Sequence, residues 1–325
     1  MNEPITSTTP TKPRTLVVLA FAAVYIVWGS TYLAIRVAVE TLPPFLSAGV
    51  RFLIAGGVLL AFLLHRGFAR PSKAQWGQAM VTGTLLLVGG NGLVMWAEKS
   101  LASGFTAMLI ALTPVWFALL DWLRPQGVRP QLKTVLGIII GFAGVILLVN
   151  GRGMSGHGTN QWWGALAVTI AGICWASGSL YSKYRSNPGS SPWMNAATQM
   201  LCGGVGLLLV GVVLGEPFRT EWSRISGRSL AALGYLIVFG SWIGFSAYVY
   251  LLGASTPARI STYAYVNPVI AIFLGWIMLG ENFTAHMLWG ALVILAGVIT
   301  ITLPPNFVVN GWTRVRRYAF GWINL

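Results

Sequence analysis

"LIALTPVWFALLDWL" (residues 109–123) and "TYAYVNPVIAIFLGWIML" (262–279) are apolar runs suited to a helix, yet each carries a proline near its middle. The two prolines, Pro114 and Pro268, lie 268 − 114 = 154 positions apart. A proline inside a helix removes one backbone hydrogen bond and crowds the carbonyl four residues earlier. In a bilayer the freed carbonyl is tolerable only against protein or in a cavity. Matched prolines therefore predict either two packing kinks or two broken helices facing one interior. Thr113 and Asn267, each just before its proline, offer a hydroxyl and an amide at the break.

Hydrophobic residues make up 55% of the 325 positions and charged residues 9%, and the mean hydropathy is +0.71. Soluble domains carry roughly 25% charge, so this is the composition of a membrane protein. A hydrocarbon core of about 30 Å takes about 20 apolar residues of helix. Ten such runs are legible, near 15–35, 43–64, 76–97, 103–123, 134–150, 162–182, 193–214, 229–251, 258–279 and 285–303. The first run exceeds the roughly 7 to 15 residues of a secretory signal core and lacks a small-x-small cleavage site, so it reads as a retained helix.

The chain repeats itself. "WGSTYLAIR" (28–36) aligns with "WASGSLYSK" (175–183), "RFLIAGG" (51–57) with "QMLCGGV" (199–205), "TPVWFALLDWL" with "NPVIAIFLGWI", and "GIIIGFAGVILL" (137–148) with "GALVILAGVITI" (290–301). The order is kept and the offset drifts only slightly, which is the mark of a duplicated five-helix unit. Five is odd, so the second copy enters the membrane from the opposite side, and the two copies form an inverted repeat of the kind transporters use around a midplane site. The expected fold is an all-α integral membrane protein of ten transmembrane helices. Residues 15–150 and 162–303 form the two inverted repeats, 151–161 an external loop, and 1–14 and 304–325 cytoplasmic tails.

The net charge of +14 does not point to nucleic acid, because the basic residues alternate between loops instead of clustering. Lys12, Arg14, Arg66, Arg70, Lys73, Arg124, Arg129, Lys133, Lys183, Arg185, Arg259, Arg314, Arg316 and Arg317 fall on one side of the membrane. Arg36, Lys99, Arg152, Arg219, Arg224 and Arg228 fall on the other. Basic loops face the cytoplasm, so both termini are expected inside. The two cysteines, Cys174 and Cys202, sit within apolar runs, and the three histidines, His65, His157 and His286, are scattered. No disulfide framework, metal site or cofactor follows.

At this point the ordered set of features resembles the EamA family of the drug/metabolite transporter superfamily. The shared features are the Trp-x-Ser start at Trp28 and Trp175, the basic or amide residue opening helices 2 and 7 (Arg51, Gln199), the proline-centred helices 4 and 9, and the Gly-rich helices 5 and 10. The resemblance covers roughly residues 15–303. It implies a ten-helix permease of the bacterial cytoplasmic membrane, mostly of the exporter kind, acting on amino acids and small metabolites as a monomer or homodimer.

Charge inside the bilayer is costly and marks function by default. Arg51 is the only deep one, and it either snorkels to the surface or offers its guanidinium to a substrate carboxylate or to the opened backbone of helix 4. Trp28 and Trp175 occupy equivalent deep positions followed by hydroxyls at Ser30, Thr31 and Ser179. With Asn91, Thr113, Gln199, Tyr248, Tyr263 and Asn267 they are expected to line an amphipathic substrate cavity, with Pro114 and Pro268 as helix-break or gating points; core packing is the plainer role for any one of them. Gly137, Gly141, Gly144, Gly290 and Gly297 fit close helix crossing. The acids fall at helix ends or in loops, and Glu98 is expected in an interfacial ion pair beside Lys99, which leaves proton coupling without support. The sequence thus reads as a secondary transporter that exports a small metabolite, amino acid-like or aromatic, across the cytoplasmic membrane by alternating access and without ATP. A membrane-embedded enzyme is disfavoured by the lack of an Asp pair, an HExxH motif or a Ser-His or Ser-Lys arrangement in the membrane interior, and a fixed channel gains nothing from two inverted halves.

Overall fold

The computed structural model describes residues 13–101, 106, 109–150, 160–185, 190–279 and 285–302. The tails 1–12 and 303–325 and residues 151–159 of the expected external loop lie outside these. Every regular element among the described residues is helical. In chain order the longer ones are α1 (Arg14–Val39), α2 (Pro44–His65), α3 (Lys73–Ala97), α4 (Thr113–Leu123), α5 (Leu132–Asn150), α6 (Asn160–Arg185), α7 (Pro192–Val213), α8 (Gly227–Leu252), α9 (Tyr263–Leu279) and α10 (Ala285–Thr302). Six helices, α1, α2, α3, α6, α7 and α8, are long and apolar enough to cross a membrane, and the apolar stretches Leu132–Leu147 and Leu288–Thr302 are shorter.

Local chemistry sets the helix starts. Pro44 and Pro192 open α2 and α7, where a missing N–H costs nothing and the fixed φ suits the first turn. Ser72 and Gln75 form a reciprocal capping box on α3, and the Ser226 hydroxyl accepts from the Ser229 N–H at the start of α8. Large apolar side chains such as Ile26, Ile54, Phe62, Leu123 and Ile139 point outward, as a surface bathed in lipid tails requires.

Equivalent helices of the two halves pack side by side, α2 along α7 and α5 along α10. The α5–α10 crossing is close because it is made by small residues: a Cβ added at Gly297 would stand 2.6 Å from the Gly141 nitrogen. Without a hydrophobic drive between helices in lipid, such backbone approach supplies the packing that holds them.

The two proline helices differ. Before Pro114 the helix unwinds at Ala111 and Leu112, and α4 starts afresh with the proline in its first turn. The Thr113 hydroxyl donates to the Ile110 carbonyl at 2.5 Å, the group a residue-114 N–H would otherwise have served. Pro268 instead lies inside α9, and the chain unwinds earlier, at Ser261 and Thr262 after the short helix Pro257–Ile260. The expected pair of equivalent breaks is therefore one break at its proline and one displaced by more than a turn.

Both α3 and α8 contain a long π-helical stretch, Thr84–Gly92 and Leu236–Phe245. π-helical geometry is rare and recurs at functional sites. Here it turns Gly90, Asn91, Gly240 and Ser241 toward the interior.

Candidate functional site

A cavity lies between the halves, its lining reaching from Trp28 and Trp175 to Ile35 and Val94, toward the end of the bundle that carries the α1–α2 turn and the turn after α3. It holds about 700 Å³ counted with the solvent at its mouth, and its walls come from α1, α2, α3, α4, α6, α8, α9 and the segment before α4.

Its floor is aromatic. Trp28 makes an edge contact with Trp175 at 5.4 Å between ring centroids and another with Tyr263 at 5.2 Å, and Tyr248 packs at 5.0 Å from Trp28 and 5.2 Å from Trp175. Edge-to-face geometry matches the ring quadrupoles. The polar edges are tied down as well: Trp28 Nε1 donates to the Gly240 carbonyl at 3.2 Å, Trp175 Nε1 donates to the Tyr248 hydroxyl at 2.8 Å, and that hydroxyl shares a 2.6 Å bond with Ser179. Both halves contribute, so neither can move without disturbing the floor.

Arg51 stands in the wall. It is 2% exposed, so it does not snorkel to the surface, and it makes no bond to the broken backbone before α4. Its Nε donates to Ser241 Oγ on α8 at 2.8 Å, while Nη1 is buried with no hydrogen-bond partner. A Cβ at Gly240 would approach Arg51 Nη2 to 2.7 Å, so only glycine there seats the guanidinium. Leaving a buried cationic donor unmatched is costly. Asn91 Oδ1 is a second buried polar atom without a partner, and both residues line the cavity. A donor that lacks an acceptor and an acceptor that lacks a donor are the complement of a small solute bearing both groups.

Trp28, Thr31, Arg51, Asn91, Thr113, Trp175, Tyr263 and Asn267 all line this one cavity. With its amide turned so that nitrogen donates, Asn267 bonds the Tyr25 and Tyr263 carbonyls at 3.2 and 3.0 Å, linking α9 to α1. Ser30, Ser179, Tyr248 and Gln199 stand elsewhere. Ser30 shares a 2.6 Å bond with the Tyr235 hydroxyl, and Ser179 and the fully buried Tyr248 lie behind the floor. Gln199 Nε2 donates to Ser182 Oγ at 3.2 Å in a separate small crevice near the other end, lined also by Gln75, Gln78 and Thr198. Pro114 is buried at the start of α4 beside the cavity residue Thr113.

Sequence reasoning missed Tyr32, Phe52, Val94, Gly240 and Phe245, which also line the cavity. The legible signal was the pair of glycine clusters "GGNG" (89–92) and "FGSWIG" (239–244) at matching places in α3 and α8. Glu98 corrects an expectation. It does not pair with Lys99 at the interface: it is 3% exposed and neither carboxylate oxygen has a hydrogen-bond partner, while Lys99 faces out. The turn after α3 folds the carboxyl inward.

The model of the EamA-like transporter family matches residues 15–150 and 162–303. Over 286 residues the chain is 42% identical to the uncharacterized inner membrane transporter YedA of Escherichia coli (strain K12), covering 87% of this chain and 90% of that protein. It is 28% identical over 289 residues to the uncharacterized transporter YvbV of Bacillus subtilis (strain 168), covering 89% and 92%. A crystal structure 20% identical in sequence superimposes with a TM-score of 0.72 over 89% of this chain and 97% of its own, which establishes shared fold alone. The chain is thus a multi-pass protein of the inner membrane and a transporter by kinship. Matched by the family model along both halves, it belongs to the EamA-like transporter family.

Proposed function

We propose that this protein is a secondary transporter that exports a small carboxylate-bearing solute, amino acid-like or aromatic, by alternating access and without ATP. The carrying observation is the cavity in which Arg51 Nη1 and Asn91 Oδ1 lack partners above an aromatic floor shared by both halves. A carboxylate would accept from Arg51, an ammonium would donate to Asn91, and an apolar body would rest on Trp28, Trp175 and Tyr263. Thr31, Thr113 and Asn267 complete the polar lining, while Ser30, Ser179 and Tyr248 brace the floor from behind.

Ten membrane-crossing helices in two inverted repeats, with both termini cytoplasmic, belong to the same proposal. It is supported by the pairing of α2 with α7 and α5 with α10 and by the matched π-helical stretches. In that topology the cavity opens outward and the Gln199 crevice faces the cytoplasm. Gln199 holds in the second repeat the place of Arg51 in the first, so the crevice reads as the closed counterpart of the cavity.

Purified protein in liposomes tests this against a panel of the twenty amino acids and aromatic carboxylic acids. The expected result is movement of at least one of them down its gradient without nucleotide. No movement of any would leave the fold without this function.

A further inference from the structure

Glu98 caps α3 one turn beyond Val94 and two turns beyond Asn91, on the face those two cavity residues share. A carboxylate buried with neither oxygen bonded is a costly arrangement, and a neutral carboxyl is far less so. From α1, Tyr32 and Arg36 face it; Tyr32 lines the cavity and Arg36 is exposed. On its own turn Lys99 faces out. Among the other helices packed against this end of α3, α2 brings Arg51, which is engaged with Ser241. Residues 160–174 of α6 carry no titratable side chain but Cys174.

The opposite end of the bundle shows what this end can become. Lys183 aligns with Arg36 in the repeated "WASGSLYSK" and "WGSTYLAIR" segments. Lys183 Nζ donates to the Leu252 carbonyl at 2.9 Å and the Ser255 carbonyl at 2.6 Å, tying α6 to the turn that ends α8. The corresponding turn ends α3 and contains Glu98. At that end the base grips its turn; at this end Arg36 is exposed.

We propose that Glu98 is a proton-binding site one turn beyond the cavity lining, and that its ionisation draws Arg36 onto the turn after α3, narrows access to the cavity from that end and links solute movement to protons. The link to solute rests on the alternating-access reading; proton binding does not. Glu98 follows Ala97, the last residue of the spanning helix, and burial pushes its carboxyl up to about 8 while Arg36 pulls it down.

Infrared difference spectra of the full-length protein, titrated from about pH 6 to about pH 10, read a protonated carboxyl directly. The expected band fades near pH 8, is missing in Glu98→Gln, and fades at higher pH in Arg36→Gln. A titration unchanged by both substitutions, or no such band, overturns the site. Closure is read in vesicles by labelling Val94→Cys with an impermeant maleimide, in a Cys174→Ala, Cys202→Ala background. Relative to the same cysteine with Glu98→Gln, labelling should fall about tenfold from about pH 7 to about pH 9 as the protonated fraction falls. Equal labelling in the two backgrounds overturns the gate. A normal titration and normal gating without transport of any panel solute would overturn only the transporter reading.

Discussion

At the scale of single residues, Arg51 is where the proposed function is most exposed to test. A charge-assisted bond to a substrate carboxylate contributes about 1.5–3 kcal/mol, so Arg51→Gln should lower transport of carboxylate-bearing solutes by about 10- to 150-fold. Thermal unfolding of the variant should still be cooperative; undiminished transport by a folded variant would remove Arg51 from the site. Gly240→Ala asks the same question without touching the charge. Its methyl would meet Arg51 Nη2 at 2.7 Å and displace the guanidinium, whereas a Cβ at Gly57 on α2 meets nothing within 4 Å. Gly57→Ala should therefore raise stability by up to about 1 kcal/mol and leave transport alone, and Gly240→Ala should impair transport. Equal effects from the two would mean the guanidinium's seat is unimportant. The polar cavity residues were legible in the sequence because polarity is rare inside apolar helices, so each stands out. Ser30, Ser179 and Gln199 stand out equally yet serve other contacts, since composition does not tell the helix face. Glu98 was misread for the opposite reason. Its place at a helix end suggests water, and only the fold of the following turn buries it.

Among the elements, the helices could be read from their apolar length, while their internal irregularities could not. A proline announces a missing hydrogen bond but not whether the helix breaks there. At Pro114 it breaks, and the Thr113 hydroxyl serves the Ile110 carbonyl; at Pro268 the helix continues, and the unwinding sits at Ser261 and Thr262. The π-helical stretches of α3 and α8 add no unusual residue type beyond glycine, so no local pattern declares them, yet they aim Asn91 and Ser241 inward. The threonine at the break gives a clean measurement. Thr113 is 3% exposed, and Thr113→Val would strand the Ile110 carbonyl at a cost of about 1–3 kcal/mol. Thr169 makes a similar bond, to the Ala165 carbonyl at 2.8 Å, but within an unbroken stretch of α6 where the backbone also serves that carbonyl. Thermal unfolding should thus fall clearly for Thr113→Val and hardly at all for Thr169→Val. Equal shifts would show that the hydroxyl does not compensate the break.

On the scale of the whole molecule, the proposed exchange between a cavity at one end and a crevice at the other makes Lys183 the contact to test. Its ammonium donates to two carbonyls, Leu252 at 2.9 Å and Ser255 at 2.6 Å, so it joins α6 to the turn between α8 and α9 at the crevice end. If the halves rock between two states, loosening this end must favour the other state, because a two-state equilibrium responds to any interaction present in only one of them. Hydrogen bonds from a charged donor contribute about 1.5–3 kcal/mol each, and 1.4 kcal/mol changes a population ratio about tenfold. Lys183→Met keeps the aliphatic stem and removes both bonds. In a background lacking Cys174 and Cys202, Thr198→Cys at the crevice should then react faster with an impermeant maleimide from that side, by about tenfold or more. Val94→Cys at the cavity should slow in the same variant. The reciprocity is the point: a general loosening would speed both reactions, and a rigid pore would change neither. Only the opposed pair of changes fits two halves exchanging access around Arg51 and the aromatic floor.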